Sequence, residues 1–168
     1  YVVAVDGTGM ITYRHRHCPH CLTQKHQNGT TLYYHKVLEA KIVTSNGLAL
    51  SLMTEFIENT GEHLSKQDCE LKAFYRLADR LKKRFPHLPI ALSLDGLFAG
   101  GPTLEICRRH GWMPLIVLKD DSLPSVNQEF RSLCQIETGN HLSWHTGKNS
   151  EIRQDFQWIN DIQYLDTD

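Results

Sequence analysis

Residues 2–8 read VVAVDGT, an apolar run that ends at Asp6 and is followed at once by glycine. Residues 90–96 read IALSLDG and place Asp95 at the same point of a similar run. Apolar runs of this kind predict buried strands, so each aspartate is expected at the rim of a sheet. If the two strands are neighbours, both carboxylates can hold a divalent cation, an arrangement suited to phosphoryl transfer on nucleic acid.

The periodicity of the remaining sequence predicts the order of the other elements. Residues 31–43 and 48–57 have the composition of strands, and Asn46-Gly47 between them is a strong hairpin signal. An apolar stripe with helical spacing ends before Pro86, at Phe74, Leu77, Ala78, Leu81 and Phe85. Further elements are a helix between Gly100-Gly101 and Gly111, a strand over 113–118, a helix over 125–132 and short strands over 134–138, 141–145 and 152–159.

The order of the main elements, β-β-β-α-β-α-β, defines the predicted fold class. It is an α/β fold with a mixed sheet that resembles the ribonuclease H-like fold, followed by a small β-rich segment. The right-handed crossover rule is compatible with the first and fourth strands lying side by side. This would bring Asp6 and Asp95 to the same edge of the sheet.

The bulk composition limits the class of protein. The chain has 168 residues, enough for one good core, and its net charge is −1 with ten histidines left uncounted. That balance excludes a generally basic nucleic-acid-binding surface. No apolar run is long enough for a bilayer span, and five cysteines without a secretory signal favour a reducing compartment. Both ends of the sequence are interpreted as cuts through a larger protein.

Residues 7–30 are rich in histidine and cysteine and are predicted to be irregular. Cys18 and Cys21 form a CxxC motif, and His26 and His35 follow at spacings compatible with a tetrahedral Zn²⁺ site. His17 could replace either histidine. The alternative is a flexible histidine-rich loop that carries a reduced CxxC pair.

Several short motifs together resemble one family, the bacterial insertion-sequence transposases of the DDE type. These motifs are DGT at 6–8, CPHC at 18–21, KQDCE at 66–70, DGL at 95–97 and FQWIND at 156–161. The resemblance implies that Asp6 and Asp95 are catalytic, Asp6 bridging two Mg²⁺ or Mn²⁺ ions and Asp95 binding one of them. It also implies double-stranded DNA as the partner, at transposon ends and target, self-association in a synaptic complex, and a bacterial cytoplasmic, nucleoid-associated location.

The third carboxylate of that family is a glutamate on a helix after the last strand. A subgroup carries a β-rich insertion before this helix, and residues 134–160 fit such an insertion after a catalytic core over 1–133. Residues 161–168 would then lead to the helix, with the glutamate beyond Asp168. Asp161, Asp166 and Asp168 could substitute for it only in an unusual fold, and Glu137 and Glu151 are poor candidates.

Contacts to DNA are predicted at four side chains, and each also has an ordinary structural interpretation. Arg14 and Arg16 belong to a basic stretch, Lys66 precedes a helix, and Trp144 could stack on an unpaired base. The alternatives are solvated surface for the cations, simple capping of the helix by Asp68 and Glu70, and packing for the tryptophan.

Two further functions remain open on the sequence. One is a non-catalytic, zinc-stabilised DNA- or protein-binding module derived from a transposase. The other is a stand-alone metal-dependent nuclease with the same core.

Overall fold

The structure is a computed structural model that describes residues 1–59, 67–119, 122–148 and 151–163. It divides into two compact units, Tyr1–Val117 and Leu118–Asp168. The first contains strands β1 (Val2–Tyr13), β2 (Leu22–Lys25), β3 (Thr31–Val43), β4 (Ala49–Ile57), β5 (Ala91–Leu94) and β6 (Met113–Ile116), with helices α1 (Glu70–Arg84) and α2 (Gly101–His110). The second contains helix α3 (Pro124–Cys134) and strands β7 (His141–Thr146) and β8 (Ile152–Gln157). The predicted α/β class is confirmed.

The six strands of the first unit form one mixed sheet. The strand order is β2-β3-β1-β5-β6, and β4 pairs with β3 on the same side as β2. Strand β1 is antiparallel to β3 and parallel to β5, and β5 is parallel to β6. The predicted neighbourhood of the two aspartate-bearing strands is therefore confirmed.

Alternation along the strands decides which side of the sheet is buried. Val3 and Val5 of β1 and Leu92 and Leu94 of β5 are buried, and they join one apolar cluster with α1. The predicted stripe of α1 supplies Phe74, Leu77, Ala78 and Leu81 to this cluster. Trp112 is buried in the same core.

Glycine and proline occupy the turn and helix-end positions that suit their backbone conformations. Gly47 has φ 85° in the Asn46-Gly47 hairpin, and Gly111 has φ 68° at the end of α2, so both occupy the left-handed region that glycine enters at little cost. Pro102 lies in the first turn of α2, where its missing N–H removes no helical hydrogen bond. These three positions agree with the sequence prediction.

Two predicted segments differ from the structure. Residues 7–30 are not wholly irregular, because β1 continues to Tyr13 along the long strand β3, and β2 forms a hairpin with the start of β3. The predicted strand over 134–138 is wrong. Helix α3 extends to Cys134, and Ile136 and Glu137 donate backbone hydrogen bonds to Leu133 in a turn instead.

The second unit has an amphipathic hairpin. Its two strands pair Leu142 with Phe156 and Trp144 with Gln154, so alternate positions form an apolar face and a polar face. The rings of Trp144 and Phe156 lie 4.7 Å apart, and Trp144 Nε1 donates to Gln154 Oε1 at 2.6 Å. In the part of the chain that the structure describes, no helix has the length and apolar character needed to span a membrane.

Candidate functional site

A gap between two strands positions the first candidate site. On the side of β3 away from β1, β2 pairs with residues up to Tyr34 and β4 pairs from Lys36 onward. His35 lies between these two ladders. Because Leu22 pairs with Tyr34, the preceding residue Cys21 is brought opposite His35.

Three potential metal ligands meet in this gap. Cys18 Sγ lies 3.7 Å from Cys21 Sγ and 3.5 Å from His35 Nε2, and Cys21 Sγ lies 3.4 Å from the same nitrogen. All three ligand atoms lie within 4.8 Å of one another. Two thiolates and an imidazole are ligands that Zn²⁺ prefers, so this cluster could bind a metal such as zinc.

The surroundings favour the thiolate form of Cys21, which is the form that binds metal. Burial raises the pKa of the Cys21 thiol, but backbone hydrogen bonds from Cys18 and His17, the Cys18 side chain and the charge of Arg16 outweigh it and lower the pKa. Arg16 also donates to the carbonyl oxygens of Cys18 and Pro19, at 3.3 and 2.9 Å. Arg16 therefore stabilises the CxxC turn through these hydrogen bonds, and its positive charge favours the thiolate of Cys21.

Asn59 connects the cysteines to the start of α1. Its Nδ2 donates to the carbonyl oxygen of Cys21 at 3.0 Å, and its Oδ1 accepts from the backbone N–H of Asp68 at 3.2 Å. Its backbone N–H donates to the carbonyl of His20 at 3.2 Å, and its own carbonyl accepts from His20 Nδ1 at 2.9 Å. Beside it, Gln67 accepts from and donates to the backbone of Thr23.

Charged side chains fix the same segment from the other side. Asp68 accepts from Arg76 Nη2 at 2.8 Å and from the backbone N–H of Glu58 at 3.2 Å. Burial raises the pKa of Asp68, but these hydrogen bonds and the charge of Arg76 lower it overall. Asp68 is thus not the helix-capping residue that was predicted, since Cys69 holds the N-cap position without a side-chain hydrogen bond.

The structure places only one of the two predicted histidine ligands at the cysteines. His35 joins the cluster, whereas His26 is not among the residues that the structure brings together there. His26 begins the β2–β3 turn, where its N–H donates to Thr30, and it lies four residues beyond Leu22, about 13 Å along an extended strand. The prediction for His26 is therefore corrected by the register of the hairpin.

Asp95 directly follows β5, as predicted, but the prediction that Asp6 lies at the rim of the sheet is wrong, because β1 continues along β3 to Tyr13. Ala4 pairs with Ser93, and each aspartate follows its paired residue by two positions. Side chains two residues apart on a strand share a face, so Asp6 is on the face of β1 opposite the buried Val3 and Val5. Asp95 lies beyond the last residue of β5 and begins a short 3-10 helix. Both aspartates are exposed, and each uses Oδ1 for a local hydrogen bond, from Gly7 N at 2.8 Å and from Leu97 N at 3.0 Å.

A cleft of about 380 Å³ separates the start of α1 from the sheet. Its lining includes Tyr34, Lys36, Glu70 and Leu97. Lys36 pairs with Glu70, and the Glu70 carboxylate lies where a side chain at Gly7 would be, 2.6 Å from an ideal Cβ. Sequence analysis gave Glu70 a simple role at the helix start and missed Lys36, because the pairing links residues from distant parts of the chain.

The remaining predicted site residues are not gathered at the aspartates by any contact that the structure describes. Arg14 is exposed after the end of β1, and Arg16 hydrogen-bonds within the CxxC turn. Trp144 is 43% exposed on β7. Asp161 has a left-handed backbone with φ 60°, and Lys66, Asp166 and Asp168 lie outside the described residues.

No protein-family model, no curated protein and no solved structure matches the chain.

Proposed function

We propose that the chain is the ribonuclease H-like catalytic domain of a DDE-type transposase. It would cleave DNA strands and transfer them at transposon ends with Mg²⁺ or Mn²⁺, in a synaptic complex in the bacterial cytoplasm. The proposal is supported by the motifs that resemble this family and by the strand order β2-β3-β1-β5-β6.

One observation supports the proposal most, the parallel pairing of β1 with β5, in which Asp6 and Asp95 each follow a paired residue by two positions. Strand β5 ends at Leu94, just before Asp95, whereas β1 continues past Asp6 to Tyr13. The loop beyond the end of β5 could therefore hold a ligand outside the packed core, beside the part of β1 that carries Asp6. Val5 and Leu94, which precede the aspartates, anchor both strands in the core. The carboxylates are therefore exposed on a rigid base, which suits groups that must orient cations.

The chemistry follows from the type of ligand. Carboxylate oxygens are hard ligands that suit Mg²⁺ and Mn²⁺, and such ions would activate the attacking hydroxyl and stabilise the leaving oxygen. In this chain Asp6 and Asp95 hold their own orientation through the hydrogen bonds from Gly7 and Leu97, which leave Oδ2 of each carboxylate for a cation. The third carboxylate of the family would come from a residue beyond Asp168.

The first test replaces each aspartate in the intact protein. Asp6→Asn and Asp95→Asn keep the size of the side chain but remove its charge, so each is expected to abolish Mn²⁺-dependent nicking of DNA that carries the transposon end. The loss should exceed 100-fold, because removal of one charge-stabilising group commonly costs 10²–10³ in rate. Nicking of supercoiled DNA, followed on gels, measures this loss.

Asp79→Asn is the matched control. Asp79 is on α1 with its side chain 70% exposed, and it contacts His110 at 3.6 Å rather than either strand end. It should nick at the unmodified rate. If both Asp6→Asn and Asp95→Asn also retain nicking, the two aspartates have no part in catalysis and the transposase proposal fails.

We further propose that Cys18, Cys21 and His35 bind a structural Zn²⁺. Residues 7–30 contribute few buried apolar side chains, Cys21 and Leu22 among them. A bound metal would therefore stabilise the folded conformation of this segment. This cluster also supports the second candidate function, a non-catalytic zinc-stabilised module that binds DNA or protein. That second function would be favoured if the protein contains zinc and binds DNA but does not nick it.

Metal analysis tests the zinc proposal directly. Freshly purified, reduced protein is expected to contain about one zinc per chain, as a single structural site requires. The Cys18→Ser, Cys21→Ser double variant should contain none, while Cys107→Ser, which changes a buried cysteine of α2, should keep its zinc. Unmodified protein without zinc would contradict the proposal.

A further inference from the structure

We infer that His17 is the fourth ligand of the metal site, which makes it a Cys₂His₂ centre formed by Cys18, Cys21, His35 and His17. This inference rests on the proposed zinc site and adds the residue that completes it. Structural zinc sites are almost always closed by four protein ligands, and the cluster supplies three. A fourth donor must therefore reach the gap between β2 and β4.

His17 is next to the cluster in the chain. It directly precedes Cys18, so its Cα is one peptide unit, about 3.8 Å, from the Cα of that cysteine. A side chain moves between staggered conformations, so the ring of His17 can reorient without movement of the backbone.

Tyr13 holds the ring of His17 beside the site. The two rings are stacked, with centroids 4.6 Å apart and planes at 14°. The same tyrosine meets His35 edge-on, with centroids 6.3 Å apart and planes at 85°. Tyr13 is therefore a common neighbour of the two imidazoles, and His17 is an exposed residue whose ring can leave the stack.

The neighbouring histidines are less suited to the role. His20 lies inside the CxxC turn, and its Nδ1 hydrogen-bonds to the carbonyl of Asn59 at 2.9 Å and lies 3.8 Å from Glu58. These contacts direct its ring toward the end of β4. His26 is at the far end of the β2–β3 hairpin, as its register shows.

A Cys₂His₂ set also balances the charge. Two thiolates neutralise the Zn²⁺ ion, and neutral histidines add no further charge to a partly buried site. Arg16 remains paired with the carbonyls of the turn and is not needed to compensate the centre. On binding, both cysteine thiols lose their protons to solvent.

The test counts imidazoles at the metal in the zinc-loaded full chain. Zinc X-ray absorption separates sulfur from lighter donors and recognises imidazole by its outer-shell scattering. Unmodified protein is expected to show two sulfurs and two imidazoles, and His17→Gln is expected to show one imidazole. Titration against a competing chelator should show that His17→Gln binds zinc at least about 10-fold more weakly, because loss of even a group that only supports a ligand costs about 10–100-fold.

His15→Gln and His26→Gln are the matched controls, and both should keep two imidazoles and the unmodified affinity. One imidazole in the unmodified protein would overturn the inference, because it indicates a three-residue site with an open position. So would loss of an imidazole in a control but not in His17→Gln. If the unmodified protein binds no zinc, the proposed metal site itself fails, an outcome distinct from both of these.

Discussion

At the scale of single residues, Gly7 explains how α1 can approach the strand that carries Asp6. An ideal Cβ on Gly7 would lie 2.6 Å from Glu70 Oε1 and 2.8 Å from Lys36 Cε, both closer than normal contacts. The missing side chain thus leaves room for the Lys36–Glu70 ion pair, whose side chains are 29% and 18% exposed. A glycine beside Asp6 has a steric reason here that needs no appeal to catalysis.

Gly7→Ala should consequently separate this ion pair. Both clashing groups are ends of flexible side chains, so they can move, and we expect a loss of about 1 kcal/mol in the free energy of unfolding. The matched control is Gly9→Ala on the same strand, where an added Cβ meets nothing within 4 Å. That variant should be neutral or more stable by about 0.5 kcal/mol, because alanine loses less entropy than glycine. Urea denaturation measures both, and equal effects would contradict the steric argument.

The residues of the candidate metal site could be predicted where they are close in the chain, but not where strand register brings them together. The CxxC spacing identified Cys18 and Cys21, and β-rich sequence around His35 placed it on a strand. Spacing alone could not separate His35 from His26, because only the pairing of Leu22 with Tyr34 shows which histidine faces Cys21. The Lys36–Glu70 ion pair could not be predicted either, because it joins residues 34 positions apart that only the fold brings together.

At the scale of elements, long strands and helices with clear periodicity were predicted well. Strand β3 has the predicted bounds, and α1 buries the predicted stripe. The extension of β1 through Gly7 and Gly9 was missed, since glycine disfavours strands and only the length of β3 compensates. The predicted strand over 134–138 failed because β propensity without a pairing partner does not form a strand.

The junction of β4, the cysteine turn and α1 depends on Asn59. Asn59→Ala removes the hydrogen bonds to Cys21 O and from Asp68 N, leaving two partly buried backbone groups without these partners. We expect a loss of about 1–3 kcal/mol in the free energy of unfolding. Zinc affinity should also fall by about 10–100-fold, as for other groups that support a metal site.

Two variants make this prediction specific to the junction. Asn59→Asp keeps an acceptor for Asp68 N but loses the donor to Cys21, so its effect on zinc affinity should approach that of alanine. Asn28→Ala changes an asparagine of the exposed β2–β3 turn, where Oδ1 accepts from Thr30 N at 3.0 Å, and should leave zinc affinity unchanged. Thermal unfolding and chelator competition measure the two properties, and unaltered zinc affinity in Asn59→Ala would contradict the role of the junction.

At the scale of the whole molecule, the buried core belongs to the first unit. Its members run from Val3 to Trp112, whereas no described residue of the second unit is fully buried. Helix α3 and the β7–β8 hairpin keep their apolar side chains partly or largely exposed. Since burial of apolar area is the main source of folding free energy, the two units should differ greatly in stability.

A chain that ends at residue 119 should therefore fold by itself. We expect it to keep the main thermal transition of the full chain to within a few degrees, because a shift of that size corresponds to about 1 kcal/mol. The proposed zinc site should also be intact in this piece, since Cys18, Cys21 and His35 all lie in the first unit. Circular dichroism on heating and metal analysis check both points.

The complementary piece, residues 120–168, should show no cooperative transition. A two-stranded hairpin is marginal in water, and α3 offers it no buried core. An unfolded first piece would contradict the assignment of the stable core to the first unit, and so would a cooperative transition in the second piece.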